Sequence, residues 1–159
     1  MKNLIYLTQY LFIQLLFFIF KVLGYKISSD LGDILGKIVG PYFRDKNRII
    51  ENLRNSKIGI DDNERKKLIN NMWGNYGRIL SEYPFLKNFR NEKLNKYINL
   101  EGKENLEKII RERKKVVFVS GHFNNFELMA MQLDKSGVKL AAIYRRLNNY
   151  FLTKTMEKI

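Results

Sequence analysis

The sequence predicts an α/β fold that follows an N-terminal membrane helix. An almost uninterrupted apolar run covers residues 4–20, about the length of a membrane-associated helix. Farther along, short apolar runs at 116–120 and 138–144 flank an amphipathic helical pattern over 125–135. A strand, a helix and a second strand joined by short loops form a βαβ unit, whose strands lie parallel with a right-handed crossover. Together these observations predict a sheet packed against helices.

Composition narrows the chemistry that the chain can perform. The chain has 159 residues, enough for one domain, and a formal net charge of +13. A basic protein binds nucleic acid, anionic lipid or an acidic partner. No nucleic-acid module is visible, and the apolar amino terminus indicates lipid. Cysteine is absent, which excludes disulfides, and a single histidine argues against a zinc site, which needs three or four ligands.

The apolar run has three interpretations that involve a membrane. Its seventeen residues make a helix of about 25 Å, at the lower limit for crossing a hydrocarbon core. It is therefore a short transmembrane helix, a helix lying in the interface, or a signal peptide. The signal peptide fits least well, because its basic region is Lys2 alone and no small-residue cleavage site follows Phe20. A buried core helix of a soluble protein is the remaining alternative.

Charge predicts the orientation of this segment. One basic residue precedes it, and many follow. They are Lys21, Lys26, Lys37, Arg44, Lys46, Arg48 and Arg54. By the positive-inside rule the body of the protein is cytoplasmic. We predict a membrane anchor helix over residues 1–23 and part of an α/β domain over residues 24–159.

Glycines mark the helix predicted over residues 29–39. Gly32, Gly36 and Gly40 are spaced by four, and small residues at that spacing let two helices approach closely. An ordinary amphipathic helix that ends at Gly40 explains the pattern as well.

A basic amphipathic stretch follows over residues 44–55. It suits a helix lying on anionic headgroups, and a solvated charged face explains it equally well.

A long helix is predicted after Asp62. Gly74 and Gly77 inside it each cost about 1 kcal/mol relative to alanine, which indicates close backbone packing. Arg78 and Glu82 are spaced for an i, i+4 ion pair on its surface, worth a few tenths of a kcal/mol.

The single histidine, His122, lies in the sequence SGHFNNFE at residues 120–127. On a continuous helix His122 and Glu127 would lie about 140° apart, so their pairing requires the histidine in a turn and the glutamate in the first helical turn. An N-cap at Asn124 allows this arrangement. Glu127 then either completes a capping box with Asn124, or orients the imidazole and leaves its other nitrogen as a general base.

The predicted sheet brings a second set of residues towards this histidine. Residues 97–100 are predicted as a further strand and residues 103–113 as a helix. Parallel strands have their carboxyl ends at one edge, where open α/β folds bind ligands. His122 follows the first strand of the βαβ unit, and Tyr144-Arg145-Arg146 ends and follows the second. Arginine suits phosphate, although a solvated arginine pair is the alternative.

Four segments resemble one enzyme family. GHFNNFE at 121–127 resembles the H-x4-[DE] box of glycerolipid acyltransferases, and is closest to the G-H-F-G-N-W-E form of the lipid A late acyltransferases, the lauroyl and myristoyl transferases of Gram-negative bacteria. Residues 71–84, 101–106 and 143–149 resemble that family's M-W-x-N-x-G-R-x-x-x-E, G-x-E-N-L and Y-R-P-L-x-N-P segments, in the family's order. Three positions within these segments depart from the pattern. Asn124 replaces a glycine, Phe126 a tryptophan, and Arg146 a proline.

The resemblance implies a fold and an activity. The fold is a glycerolipid-acyltransferase-like mixed sheet flanked by helices. The activity moves a fatty acyl chain from an acyl-carrier-protein thioester to a hydroxyl of a lipid A precursor, at the cytoplasmic face of the bacterial inner membrane. No metal or bound cofactor is required.

Roles for individual residues follow from the same resemblance. His122 is the general base and Glu127 orients it. Asn125 or backbone amides hold the oxyanion. Arg145 and Arg146, beside Tyr144, hold a phosphate of the acceptor or of the carrier's prosthetic arm.

Other functions also fit this sequence. Another acceptor, such as lysophosphatidate, suits the same fold, although the glutamate of the box and the N-x-G-R segment argue against it. Because members of the family are nearly twice as long, we expect the amino-terminal half of a longer enzyme. A catalytically inert, membrane-attached fragment or binding module is the alternative from a different class.

Overall fold

The computed structural model describes residues 2–57, 59–143 and 145–157. These residues are about 70% helical and contain no strand, so the predicted α/β fold with its mixed sheet is wrong. The described helices are α1 Lys2–Leu23, α2 Tyr25–Val39, α3 Lys46–Asn55, α4 Asp62–Glu82, α5 Leu86–Arg90, α6 Lys103–Glu112, α7 Glu127–Lys135 and α8 Tyr150–Met156. Short 3-10 helices lie at Gly40–Tyr42, Tyr83–Phe85 and Asn95–Tyr97.

The error lies in the segments predicted as strands. Residues 116–120 and the described part of 138–144 have no regular structure, and Val117 and Val119 are 89% and 91% exposed. A strand obtains its backbone hydrogen bonds from a neighbouring strand, and a local apolar run does not specify that neighbour. The βαβ unit, and the sheet edge that was to join His122 to Arg145, are therefore absent from the described residues.

The helical predictions are confirmed more closely. The patterns over 29–39, after Asp62, over 103–113 and over 125–135 correspond to α2, α4, α6 and α7. Gly137 ends α7. Its φ is 87°, and the bonds Gly137 N to Asp134 O and Val138 N to Leu133 O form a Schellman motif.

Two compact units divide the chain. Unit 1 consists of the residues up to Gln14 together with those from Phe85 onward, and unit 2 consists of Leu15–Pro84. Helix α1 contributes to both, because the boundary at Gln14 falls within it.

Unit 2 is built on close packing of α2 against α4 through glycines. A Cβ atom added at Gly77 would collide with the carbonyl oxygen of Gly32, and one at Gly36 would collide with that of Trp73. Gly40 lies against the Trp73 indole in the same way. The close packing predicted from Gly74 and Gly77 is confirmed, and of the two interpretations of the α2 glycines the structure supports close approach to another helix. Gly36 and Gly77 permit backbone contacts, and Gly40 a contact with the indole, that any side chain would prevent.

A polar network lies beside this contact. The buried Ser29 hydroxyl donates to a carboxylate oxygen of Glu82 at 2.8 Å and accepts from Arg78 at 3.0 Å. Arg78 also donates to Asp30 at 3.0 Å. The predicted surface pair of Arg78 and Glu82 is thus part of a bridge between two helices, with Ser29 at its centre.

Asp33 extends this network. Its carboxylate accepts from the Lys37 ammonium at 2.6 Å and lies 3.4 Å from the Arg78 guanidinium. The hydrogen bond from Lys37, with the positive charge of Arg78, holds the pKa of the Asp33 carboxyl below its ordinary value. Asp33 therefore remains ionised and anchors both cations near neutral pH.

Helix α1 is the one described helix that is long and apolar enough to cross a membrane. Its 22 residues span about 33 Å, close to the thickness of a hydrocarbon core. A core helix or a signal sequence meets the same criteria of length and composition.

In unit 1, Asn149 ties α8 to the first half of α1. Its side-chain oxygen accepts from the backbone N–H groups of Phe151 and Leu152 and so caps α8. Its amide nitrogen donates to the carbonyl of Tyr6 at 2.8 Å and to the side chain of Gln9 at 3.1 Å. Asn149 is buried, so these bonds are shielded from water.

We expect Asn149→Ala to lower the free energy of unfolding by about 2 kcal/mol, through loss of the cap and of two further hydrogen bonds. Urea unfolding followed by circular dichroism measures the change. Asn148→Ala is the matched control, because Asn148 is an exposed neighbour. Equal stability of the two variants would show that the bonds of Asn149 contribute nothing.

Candidate active site

Helix α7 carries Glu127 as its first residue, and its other end is fixed to α5. Arg90 forms an ion pair with Asp134 at 3.0 Å, and the Lys135 ammonium donates to the carbonyl of Phe89 at 3.3 Å. The Phe89 side chain is fully buried. These contacts hold α7 in place within unit 1 and fix the position from which Glu127 projects.

The loop that leads into α7 turns sharply at Asn124, whose φ is 47°. Asparagine is among the few non-glycine residues that adopt this left-handed conformation readily. Asn124 can therefore replace the glycine that the family's motif has at this position. The amide of Phe126 then donates to the carbonyl of Asn124 at 3.0 Å and tightens the turn.

The capping box between Asn124 and Glu127, one of the two interpretations of this spacing, is contradicted by the structure. Helix α7 begins at Glu127 rather than two residues earlier, and Phe126, at the N-cap position, makes no side-chain cap hydrogen bond. Glu127 therefore occupies the first helical position and not the third. The capping explanation for the five-residue spacing of His122 and Glu127 loses its geometric basis.

His122 is exposed and lies in the segment before this turn. Its ring packs edge-on against the Phe126 ring, with centroids 4.4 Å apart and an interplanar angle of 60°. The aromatic residue that replaces the family's tryptophan thus contacts the imidazole and restricts its orientation. No hydrogen bond joins His122 to Glu127 in the described part of the chain.

The other predicted site residues are less closely grouped. Asn125 is half-buried in the turn next to Glu127. Arg145 is exposed, and Arg146 lies 3.7 Å from the carboxylate of Glu157 with three quarters of its side chain exposed. Neither arginine bonds to His122 in the described residues. Tyr144 lies outside the described residues.

The sequence patterns missed one feature that the structure reveals. Arg44, Lys46 and Lys66 line a cavity beside Trp73 in unit 2. The basic stretch at 44–55 was the available signal, but it did not indicate that a lysine of the following helix joins the same cavity.

The whole chain was compared with known proteins. The model of the family described as bacterial lipid A biosynthesis acyltransferases matches residues 1–158. The chain belongs to this family. No curated protein and no solved structure matches the chain. The resemblance of four short segments to the lipid A acyltransferases is therefore confirmed.

A lipid A biosynthesis acyltransferase joins an acyl group to an acceptor, which supplies its own nucleophile. Such an enzyme needs a base for the acceptor, a group that stabilises the developing oxyanion, and cations for anionic substrates. In this chain the loop and first turn of α7 supply candidates for the first two roles.

Proposed function

We propose that the protein is a membrane-bound O-acyltransferase that moves a fatty acyl chain from an acyl-carrier-protein thioester to a hydroxyl of a lipid A precursor. The observation that supports it most is the segment from His122 to Glu127. An exposed imidazole on a sharp turn precedes a carboxylate at a helix start, in a chain that belongs to the lipid A acyltransferase family.

In the proposed reaction His122 takes the proton of the acceptor hydroxyl as that oxygen attacks the thioester carbonyl. The tetrahedral intermediate then collapses, the carbon–sulfur bond breaks, and the imidazolium returns the proton to the leaving thiolate. An ester and a free thiol result. The enzyme needs no serine or cysteine nucleophile, because the acceptor provides the attacking oxygen.

Glu127 orients this base. A carboxylate that accepts from one imidazole nitrogen fixes the tautomer and stabilises the imidazolium that forms in the reaction. In the present structure Phe126 is the ring partner of His122. A rotation of the exposed imidazole towards the start of α7 on substrate binding would complete the pair. Catalytic hydrogen bonds often tighten only in the substrate complex.

The remaining residues bind substrate in this proposal. Asn125, with backbone amides at the start of α7, holds the oxyanion. Arg145 and Arg146, beside Tyr144, hold a phosphate of the acceptor or of the carrier's prosthetic arm. Two exposed guanidinium groups suit this role, since arginine binds phosphate oxygens in pairs.

The proposed cellular location of the protein rests on helix α1. We place its residues, as the anchor over 1–23, at the bacterial inner membrane, with residues 24–159 at the cytoplasmic face as part of the enzyme domain. The length of α1 and the basic residues after it support this arrangement.

An acceptor panel tests the function. The protein, in membranes or detergent, is incubated with acyl-carrier-protein thioester and either a lipid A precursor or lysophosphatidate. Mass spectrometry of the lipids should detect one added acyl chain on the lipid A precursor. Acylation of lysophosphatidate alone would assign the other acceptor, and no acylation of either would support an inert protein.

We expect Glu127→Gln to reduce kcat at least about 10²-fold while the fold survives, because glutamine cannot stabilise an imidazolium. Steady-state acyl transfer measures the effect. Glu104→Gln, an exposed glutamate of the preceding helix, is the matched control and should be fully active. A Glu127→Gln enzyme that is as active as this control would remove Glu127 from the mechanism and leave His122 to act alone.

A further inference from the structure

We propose that unit 2 carries a binding groove for an anionic phospholipid of the bilayer, in which Arg44, Lys46 and Lys66 hold the phosphate and Trp73 lies beside the acyl chain. We call it the Trp73 groove. It is built wholly from residues of unit 2 and includes none of the proposed catalytic residues. A test of the Trp73 groove is therefore independent of a test of the proposed acyl transfer.

The Trp73 groove consists of two adjoining cavities. They have volumes of about 280 Å³ and 400 Å³ and share Arg44, Ile49 and Trp73 in their walls. Sites for small ligands occupy roughly 300–1,000 Å³. The two cavities together have room for a headgroup and the first part of one acyl chain, but not for a whole lipid, whose remaining chain would stay in the bilayer.

The chemistry of the walls fits an anionic amphiphile. The first cavity has an apolar floor that includes Ile49, Ile69 and Trp73, and no acidic residue of the described chain lines either cavity. Its three cations form no ion pair with another described residue, in contrast to other cations of the same unit such as Lys37, which pairs with Asp33. Three like charges that line one cavity, without an ion-pair partner among the described residues, favour the binding of an anionic group such as phosphate.

A second surface of unit 2 favours a lipid of the bilayer over a soluble anion. On α2, Ile27, Ile34 and Ile38 are each more than half exposed. At 100° per residue they fall within about 40° of one another, on the side of α2 opposite the glycines that contact α4. The described residues of unit 2 leave this apolar face exposed, and it suits contact with hydrocarbon.

Two exposed aromatic residues lie between α2 and the cations in the sequence. Tyr42 and Phe43 are 88% and 79% exposed and immediately precede Arg44. Aromatic side chains concentrate at the level of the headgroups, and long cationic side chains extend from there to the phosphates. Along the chain the exposed isoleucines of α2 come first, the two aromatic residues next and the cations last. The layers of a bilayer follow the same order from the hydrocarbon core to the headgroups.

Trp73 provides the measurement, because it is the only tryptophan of the chain. The protein is reconstituted in phosphatidylcholine vesicles that contain a small, equal fraction of either brominated phosphatidylglycerol or brominated phosphatidylcholine. Bromine quenches tryptophan fluorescence on contact. We expect the anionic lipid to quench Trp73 more strongly at low ionic strength.

The triple variant Arg44→Gln, Lys46→Gln, Lys66→Gln should lose at least about tenfold of the preference for the anionic lipid. The matched control, Lys108→Gln, Arg111→Gln, Lys139→Gln, removes the same charges from exposed positions of unit 1 and should keep the preference. Circular dichroism checks both folds. If the triple variant unfolds, Lys66→Gln alone, at an exposed site of α4, should show a several-fold loss.

Three results would overturn the proposal. Equal quenching by the two brominated lipids in the unaltered protein would remove the specific site. An equal loss in the control variant would reduce the effect to general charge attraction. Displacement of the brominated lipid by inorganic phosphate at constant ionic strength would indicate a site for free anions instead.

Discussion

We expect His122→Ala to lower acyl transfer to the lipid A precursor by about 10²–10⁴-fold, which is the usual contribution of a positioned general base. The loss should appear in kcat, because the imidazole acts on the proton in the transition state and adds little to ground-state binding. His122 is exposed, packs against the Phe126 ring and makes no hydrogen bond to another described residue, so its removal should lower the thermal unfolding temperature by no more than a few degrees.

Phe123→Ala is the matched control for this change. Phe123 is the adjacent residue, is exposed in the same loop, and has no part in the proposed chemistry. The control separates loss of the base from disturbance of the loop. A folded His122→Ala enzyme with activity close to that of Phe123→Ala would exclude His122 as the base.

Gly77→Ala should destabilise unit 2 by about 3 kcal/mol. Alanine would gain up to about 1 kcal/mol in helix propensity, but its Cβ would meet the carbonyl of Gly32 and the Cα of Gly36, and backbone atoms cannot rotate away. The helices would have to separate, which would also disturb the bridge through Ser29. Thermal unfolding followed by circular dichroism measures the loss.

Gly59→Ala is the control for this prediction, because a Cβ there meets nothing within 4 Å. It should leave the unfolding temperature unchanged or raise it slightly, through a smaller entropy of the unfolded chain. If Gly77→Ala were as stable as Gly59→Ala, the close approach of α2 and α4 would not be a determinant of the fold.

Helices were predictable from the sequence because their hydrogen bonds are local. The spacing of Ile69, Trp73, Tyr76 and Leu80 specifies a helix whatever surrounds it, and α4 contains all four. Strands depend on a partner that is distant in sequence. The run from Val116 to Val119 fits the interior of a sheet, yet it lies exposed in the described chain.

Contacts between helices were predictable only in part. The glycines of α4 indicated close packing and those of α2 allowed it, but nothing in their spacing identified Gly32 and Gly77 as partners. Ser29 was not singled out at all, because a lone serine in a helix carries no signal of what it will bond. Its role depends on Arg78 and Glu82, about fifty positions away.

The candidate site was also predictable only in part. The H-x4-E spacing identified His122 and Glu127 and led to the correct family, since the motif is short and local. The helix start at Glu127 and the left-handed turn at Asn124 were not predicted, because both depend on how the loop enters α7. The convergence of His122 and Arg145 relied on the sheet and lost its support with it.

The central claim is that Glu127 orients His122 as the catalytic base. Because the chain has a single histidine, isotope-labelled histidine gives one pair of ring nitrogen signals in NMR, with no assignment ambiguity. With the acyl carrier and the acceptor bound, we predict one dominant tautomer in the unaltered protein and in Glu104→Gln, and a mixture of tautomers in Glu127→Gln. Identical nitrogen signals from His122 in all three proteins would contradict the claim.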